Sequence, residues 1–444
     1  VELRDLIVTP LVVLAVYMIA YFIRPYATDE NTRPYFFYAL TFKIIGAISL
    51  GILYQFYYNG GDTYYYHTYG SRLLWEVFFE SPADGIDLLF KNAGDYTDGY
   101  RYASRIYFFR DSASFAVIRI ASVFDLFTYS TYSATATLFA VFSFSGIWLL
   151  YLTFYKQYPL LHRNLALAIC FIPSCIFWGS GVLKDSIVLG CIGIATYHFH
   201  KLFFEKRISV TSVLALLLTL YTIFIIRKFV LQAYIPASII WILSKNLGHI
   251  RSMALRIMMA PFILGIIFFS TYYTIVKVGE GDEKYSIAKL GETARITSFD
   301  IRYLTGREAG SGYDLGELDG SFGSMLRLAP QAINVSLFRP YLWEVKNLLM
   351  LLSSLEGLLF LMATIYIITK NKFSVINSLA DPNIIFCLVF SITFAFAVGV
   401  STFNFGTLAR YKIPLLPFFA TSLVLIANYC RNSERKLEEF DTTE

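Results

Sequence analysis

The chain has 444 residues, of which 56% are hydrophobic and 16% charged, and its formal charge is +5. A soluble domain stands nearer about 45–50% apolar and about 25% charged, so this composition, with a mean hydropathy of +0.56, excludes an ordinary globular protein. So small a positive balance makes no case for nucleic acid as a partner.

A bilayer crossing needs about 20 apolar residues, and runs of that kind recur along the chain without the period-two alternation of a barrel. They predict an all-α polytopic membrane protein of about eleven spans, folded as a single integral membrane domain over 1–444. The first runs are 5–23 and 36–58. A polar insertion, 59–131, precedes 132–155, 163–179, 183–203, 209–226, 229–244 and 254–277. A second insertion, 278–342, leads to 343–369, 382–400 and 411–429, with a tail over 430–444. The first run lacks a basic leader and a small-residue cleavage site, and is expected to be a retained helix. All five cysteines (Cys170, Cys175, Cys191, Cys387, Cys430) fall within or beside apolar runs, without metal spacing or a disulfide framework, and read as core residues.

One alternate set of short loops is uniformly basic: Arg24 and Arg33; Lys156 and Arg163; Lys201, Lys206 and Arg207; Lys245, Arg251 and Arg256; Lys370 and Lys372; then Arg431, Arg435 and Lys436. The positive-inside rule puts that set in the cytoplasm. Both insertions and the N-terminus then face outward. Within the first insertion, 71–90 and 112–128 (around Arg119 and Asp125) carry apolar residues at helical spacing and are expected to lie in the interface. The second holds a Gly-rich acidic loop, "REAGSGYDLGELDGSFGS".

The stretch "YYNGGDTYYYHTYG", 57–70, places Asp62 at the outer end of the second span. Three outward turns bring cations to the same side: Lys184 in "FWGSGVLKDS", Arg227 and Lys228 in "IIRKFV", and Arg410 and Lys412 before the last span. An ionised side chain at a span centre costs about 2.5–3.5 kcal/mol, so each needs a partner. A lipid phosphate is one, and suits Arg through its planar fork. Snorkelling, or pairing with carboxylates such as Asp185 and Asp62, is the other. Asp62 reads as a general base or as a turn or helix cap after Gly60–Gly61. Asp185 is expected to orient Lys184 or meet the acceptor. Glu356 lies inside a span, as a site residue or as a packing contact hydrogen-bonded to Ser353 or Ser354. Arg339 and Glu344 flank the start of that span and either line the cavity or pair locally. Asp95, Asp98, Asp314, Glu317 and Asp319 read as solvated loop charges, and "NVS" at 334–336 is too short a glycosylation pattern to decide anything.

"GDTYYYHTYGSRLL" resembles the acidic-aromatic first outer loop of the GT-C glycosyltransferases. "PSCIFWGSGVLKDSIVLG" looks like their second outer turn, with Asp185 at its acidic position although Lys184 departs from the usual form. "RYKIPLLPFFA" is similar to the Arg-Tyr…Pro…Leu-Pro ending of their bacterial members. The resemblance implies an inverting transfer of sugar from a polyprenyl-phosphate carrier to a lipid, glycan or protein acceptor on the outer face of a bacterial inner membrane, with membrane lipids as further partners. In that frame Asp62 is the base, and Arg410 the first phosphate ligand with Lys184, Arg227 and Lys412 beside it. Tyr64, Tyr65, Tyr66 and His67 stack on sugar or form an interfacial belt. No cofactor is implied, and a divalent metal stays open. A polysaccharide polymerase or ligase is the nearest rival, and a lipid or glycan transporter or flippase the rival from another class.

Overall fold

The structure is a computed structural model and describes residues 2–91, 100–248, 296, 311–313, 315–316 and 327–441. These residues are helical almost throughout; apart from helices they show one isolated antiparallel bridge, Gly312 to Asn404. The chain divides into two compact units, Val1–Arg227 and Lys228–Glu444.

Unit 1 is built on four helices: α1 (Leu3–Ala27), α2 (Arg33–Phe56), α8 (Tyr132–Tyr155) and α11 (Lys184–Phe203). α8 is the centre, packed against α1, α2 and α11. Small residues set its distance from α11: a Cβ on Gly146 would stand 2.0 Å from the Gly190 carbonyl oxygen, and one on Gly193 would stand 2.1 Å from that of Gly146. The backbones therefore touch, as small residues permit in membrane helices. α12 (Val210–Ile226) packs on α11 and on α7 (Ser112–Thr128).

Between α2 and α8 run the short helices α3 (Asp62–Tyr66), α4 (Arg72–Glu80), α5 (Pro82–Phe90) and α6 (Tyr100–Ala103), then α7. A π turn, His67–Ser71, joins α3 to α4. The amphipathic stretch 71–90 is thus two helices, divided where Pro82 fits a helix first turn but not an interior. The stretch 112–128 is one helix, capped by the Asp111 side chain on the Ala113 amide. Exposed Phe79, Phe90 and Phe127 give this layer an apolar outer face.

Unit 2 contains α13 (Lys228–Gly248), α14 (Ala329–Phe338), α15 (Leu348–Asn371), α16 (Ser374–Ser378), α17 (Pro382–Thr402), α18 (Phe405–Tyr411) and α19 (Leu416–Asp441). α17 is its core, flanked by α13, α14 and α19. Trp241 stacks on Phe386 with ring centres 4.1 Å apart and donates to Asn383 Oδ1 at 3.0 Å. Gly399 lets α17 meet α14, where an added Cβ would lie 2.2 Å from the Ala332 carbonyl oxygen.

Among the described residues, five helices are long and apolar enough to cross a membrane (α1, α2, α8, α15 and α17), or six if α18 and α19, bent by 68° to each other, form one span. The expectation of about eleven is corrected accordingly. The run 163–179 is not one helix but α9 (His162–Cys170) and α10 (Pro173–Phe177), because Pro173 cannot donate to the ladder and its predecessor Ile172 is extended. The run 209–226 gives an apolar helix of 17 residues, at the lower limit for a bilayer crossing. α11 and α13 have the length, but His198, His200 and Lys201 in one and Gln232, Lys245 and Asn246 in the other dilute their apolar character. The run 254–277 lies outside the described residues, as do most of the Gly-rich acidic loop and Asp95, Asp98, Asp314, Glu317 and Asp319. All five cysteines are buried and unbridged.

Candidate functional site

The segment after α2 turns through three residues of positive φ, Asn59 (53°), Gly60 (125°) and Gly61 (122°). Two glycines are needed there because only Gly enters this region at no steric cost. The Gly61 carbonyl accepts from the amides of Tyr64 and Tyr65 at 2.9 and 3.0 Å. Gly61 is therefore the cap, and Asp62 is the first residue inside α3. The capping role open to Asp62 in the sequence belongs to its neighbour. Asp62 is half-buried, with the positive end of a helix behind it.

Contacts between distant segments bring other predicted residues to this end of unit 1. The Tyr54 ring lies edge-on to Trp178 at 6.5 Å, and Gly181 packs on Leu50. The turn between α10 and α11 therefore reaches the last turns of α2. Tyr66 links α3 to α7 through a 3.4 Å hydrogen bond between its hydroxyl and Ser114 Oγ. Lys184 and Asp185 open α11, and Arg227 ends α12. Lys184 Nζ lies 3.2 Å from Asp111 Oδ2, and Arg227 Nη2 lies 2.7 Å from Asp185 Oδ1. Asp185 thus holds Arg227 and not Lys184, which corrects the sequence expectation. The two pairs differ in exposure. Asp185 and Arg227 are 0% and 5% exposed, whereas Asp111 is half exposed. Burial pushes the Asp111 carboxyl up, but the hydrogen bond from Ser114 and the nearby Lys184 charge more than reverse this, leaving it below the usual carboxylate range.

His67 is turned into the packing of unit 1. It is fully buried, its Nε2 is 3.5 Å from Asp125 Oδ1, and its ring stands edge-on to Tyr132 at 5.4 Å. Thr135 donates to the same Asp125 oxygen at 2.5 Å. The π turn beginning at His67 points the ring inward, toward α7 and α8. Tyr65 lies on Tyr107 with ring centres 4.4 Å apart, and its free face is reduced to a half-buried edge. Tyr64 stacks on Tyr132 at 4.5 Å; burial, followed by the charges of Asp5 and Glu2, raises its hydroxyl to about 12, so it is a fixed donor.

In unit 2, Arg339 pairs with Glu344, its Nε lying 3.0 Å from Oε2 and its Nη2 closing the fork on Oε1. The guanidinium also lies 5.5–5.9 Å from the ring centres of Phe405, Tyr313 and Tyr341. Local pairing is the outcome of the two roles open to it. Arg410 lies in α18 and Lys412 caps its end, 1% exposed. Glu356 is buried in α15 at 6% exposure. The hydroxyls of Ser353 and Ser354 are buried without a hydrogen-bond partner among the described residues, so neither makes the expected bond to Glu356. Asn334, of the glycosylation pattern, bonds the Tyr341 hydroxyl at 3.0 Å.

Two residues escaped sequence reasoning, Asp111 and Lys43. Lys43, in the middle of α2, is 1% exposed, and its Nζ donates to Ser143 Oγ (2.9 Å), the Cys175 carbonyl (2.9 Å) and the Gly179 carbonyl (2.8 Å). Its three donors are all used. It fastens α2 to the broken helix α10 and the glycine turn that leads to Lys184. The signal was available: a cation inside a span is a suspect by default, but averaged hydropathy hides one charge among apolar neighbours.

Fold and composition together define a helical membrane protein. Comparison with protein-family models, with curated proteins and with solved structures returns no match.

Proposed function

We propose that the protein is a GT-C-like glycosyltransferase of the bacterial inner membrane, moving a sugar from a polyprenyl-phosphate carrier to an acceptor hydroxyl on the extracytoplasmic side. The observation that supports this reading is that the turn leading to Lys184 and Asp185 packs on the last turns of α2, which the Asp62 turn follows, with Arg227 paired to Asp185. Asp62 takes the proton of the acceptor hydroxyl. The acceptor oxygen then bonds to the anomeric carbon with inversion, and the bond from that carbon to the phosphate oxygen breaks. Lys184 stabilises the charge gathering on the departing phosphate, exchanging the half-exposed Asp111 for it. Arg227 stays with Asp185 and keeps the start of α11 in place. Arg410, Lys412 and Glu356 lie in unit 2 and take no step in this mechanism.

Asp62→Asn is expected to lower transfer by about 10²–10⁴-fold, the usual range for a general base, while carrier lipid still binds. Lys184→Met is expected to raise KM for the carrier. The decisive measurement is transfer by purified Asp62→Asn protein, and activity near wild type there removes the base and the mechanism with it. A transporter is the second reading, favoured by interrupted helices in each unit, α9–α10 and α18–α19. Substrate flux across proteoliposomes that survives Asp62→Asn selects it.

A further inference from the structure

The run that opens with Asp62, α3 and the π turn after it, meets α7 at three points. In the first turn of α7, Ser114 Oγ lies 3.4 Å from the Tyr66 hydroxyl. Farther along, Ile118 fills the place of a side chain at Gly70, where a Cβ would stand 2.8 Å from it. In the last turn Asp125 meets His67, with Nε2 3.5 Å from Oδ1. The cap of the same helix, Asp111, holds Lys184. One helix therefore carries contacts both to the segment of Asp62 and to Lys184.

The three contacts differ in how closely they fix one segment on the other. The Gly70 contact is apolar and has no direction, and the Tyr66 bond is long. The third is of another kind. His67 and Asp125 are both fully buried, and the two ring nitrogens of His67 and Asp125 Oδ2 have no hydrogen-bond partner among the described residues. Hydroxyls of the same layer are engaged elsewhere, Thr63 with Tyr132 and Thr128 with Thr135, each at 2.7 Å. A slide of α3 along α7 parts the imidazole from the carboxylate and strands it in a layer whose hydroxyls are taken, which is costly in a low-dielectric interior. As a stabiliser such a pair is poor, because apolar residues fill the same place without desolvation. As a mark of register it is effective.

We propose that His67 is the positioning residue of the Asp62 turn: through Asp125 it fixes the register of α3 on α7, and so the place of the Asp62 carboxylate relative to Lys184. The π turn is part of the device, because its wider winding brings an imidazole inward while Asp62, one helical turn earlier, stays half-buried. The consequence for catalysis rests on the reading of Asp62 as the base; the register of α3 on α7 does not.

Hydrogen exchange of the full chain in nanodiscs, read at the α3 amides of Tyr64 and Tyr65 that bond the Gly61 carbonyl, tests the register without any substrate. His67→Leu is expected to speed that exchange by about tenfold or more. His67→Gln, whose amide nitrogen can stand where the imidazole Nε2 does, is expected to keep it near wild type. His67→Leu with Asp125→Leu removes both buried polar groups; it is expected to regain thermal stability while exchange at α3 stays fast. Packing alone would return both together, and that result overturns the proposal, as does wild-type exchange in folded His67→Leu. If His67→Leu fails to fold, the double variant decides. In the transfer assay used for Asp62→Asn, the double variant is expected to lose about 10²-fold in kcat with the carrier KM unchanged, and a raised KM with kcat intact overturns the positioning of the base. The two readings fail separately. Transfer surviving in Asp62→Asn removes the base while exchange still judges the tie between α3 and α7, and unchanged exchange in His67→Leu removes the tie while the base stands.

Discussion

Lys43 and Arg227 are both cations sealed inside unit 1, at 1% and 5% exposure, and they are satisfied in opposite ways. Around Lys43, in the middle of α2, three neutral oxygens take its protons. Around Arg227, at the end of α12, a fully buried carboxylate does. In a low-dielectric interior the consequences diverge. Removing one member of a buried ion pair strands a charge, whereas removing a cation from neutral oxygens strands only dipoles. The middle of the unit is therefore tied by a clamp that can be lost in parts, and its end by a pair that must be lost together.

Arg227→Leu gives the largest expected effect on stability. The fully buried Asp185 carboxylate loses its guanidinium, at a cost of about 3–5 kcal/mol, read as a lowered unfolding midpoint in detergent. Removing both charges, Asp185→Leu with Arg227→Leu, is expected to regain much of that loss. If the two single effects simply add, the residues are not coupled and the contrast with Lys43 disappears.

Lys43→Met comes next. It takes the ammonium donor from the carbonyls of Cys175 and Gly179, at about 1–3 kcal/mol in all, and loosens the turn ahead of Lys184. Wild-type stability in this variant would mean that the clamp holds nothing.

The smallest effect belongs to the half-exposed pair, Asp111 with Lys184, where about 0–1 kcal/mol is expected. Its value is in its pH dependence. The Asp111 carboxyl lies below its ordinary value of 3.8, so the folded state binds fewer protons than the unfolded one. Its contribution is full above the ordinary value and is lost as pH falls through the lower folded value. Asp111→Asn is expected to flatten that part of the stability profile; an unchanged profile in the variant assigns the dependence elsewhere.

Much of this was legible in the sequence, for reasons that differ by residue. A turn after Gly60–Gly61 was one of the two readings of Asp62, because a glycine pair acts on the backbone locally. The helix at 112–128 was read within its true bounds because amphipathic spacing is local too. His67 was read as stacking on sugar or joining an interfacial belt, since its neighbours in sequence are tyrosines; a π turn brings it instead beside Asp125, which lies in another helix. Asp185 was given to the adjacent Lys184 or to the acceptor, while the guanidinium that reaches it stands 42 positions away in the chain. Arg339 and Glu344, five residues apart, were within reach of local reasoning, and one of the two roles offered to them is what the structure shows.

The amino-acid sequence alone determined that this chain is a helical membrane protein, because hydropathy accumulates residue by residue along a segment and does not depend on its neighbours in space. It also determined where the backbone turns at Gly60–Gly61. Only the tertiary structure decided which charge meets which. Pairing depends on positions within a few ångströms between residues far apart in the chain, and no property of either segment by itself contains that distance.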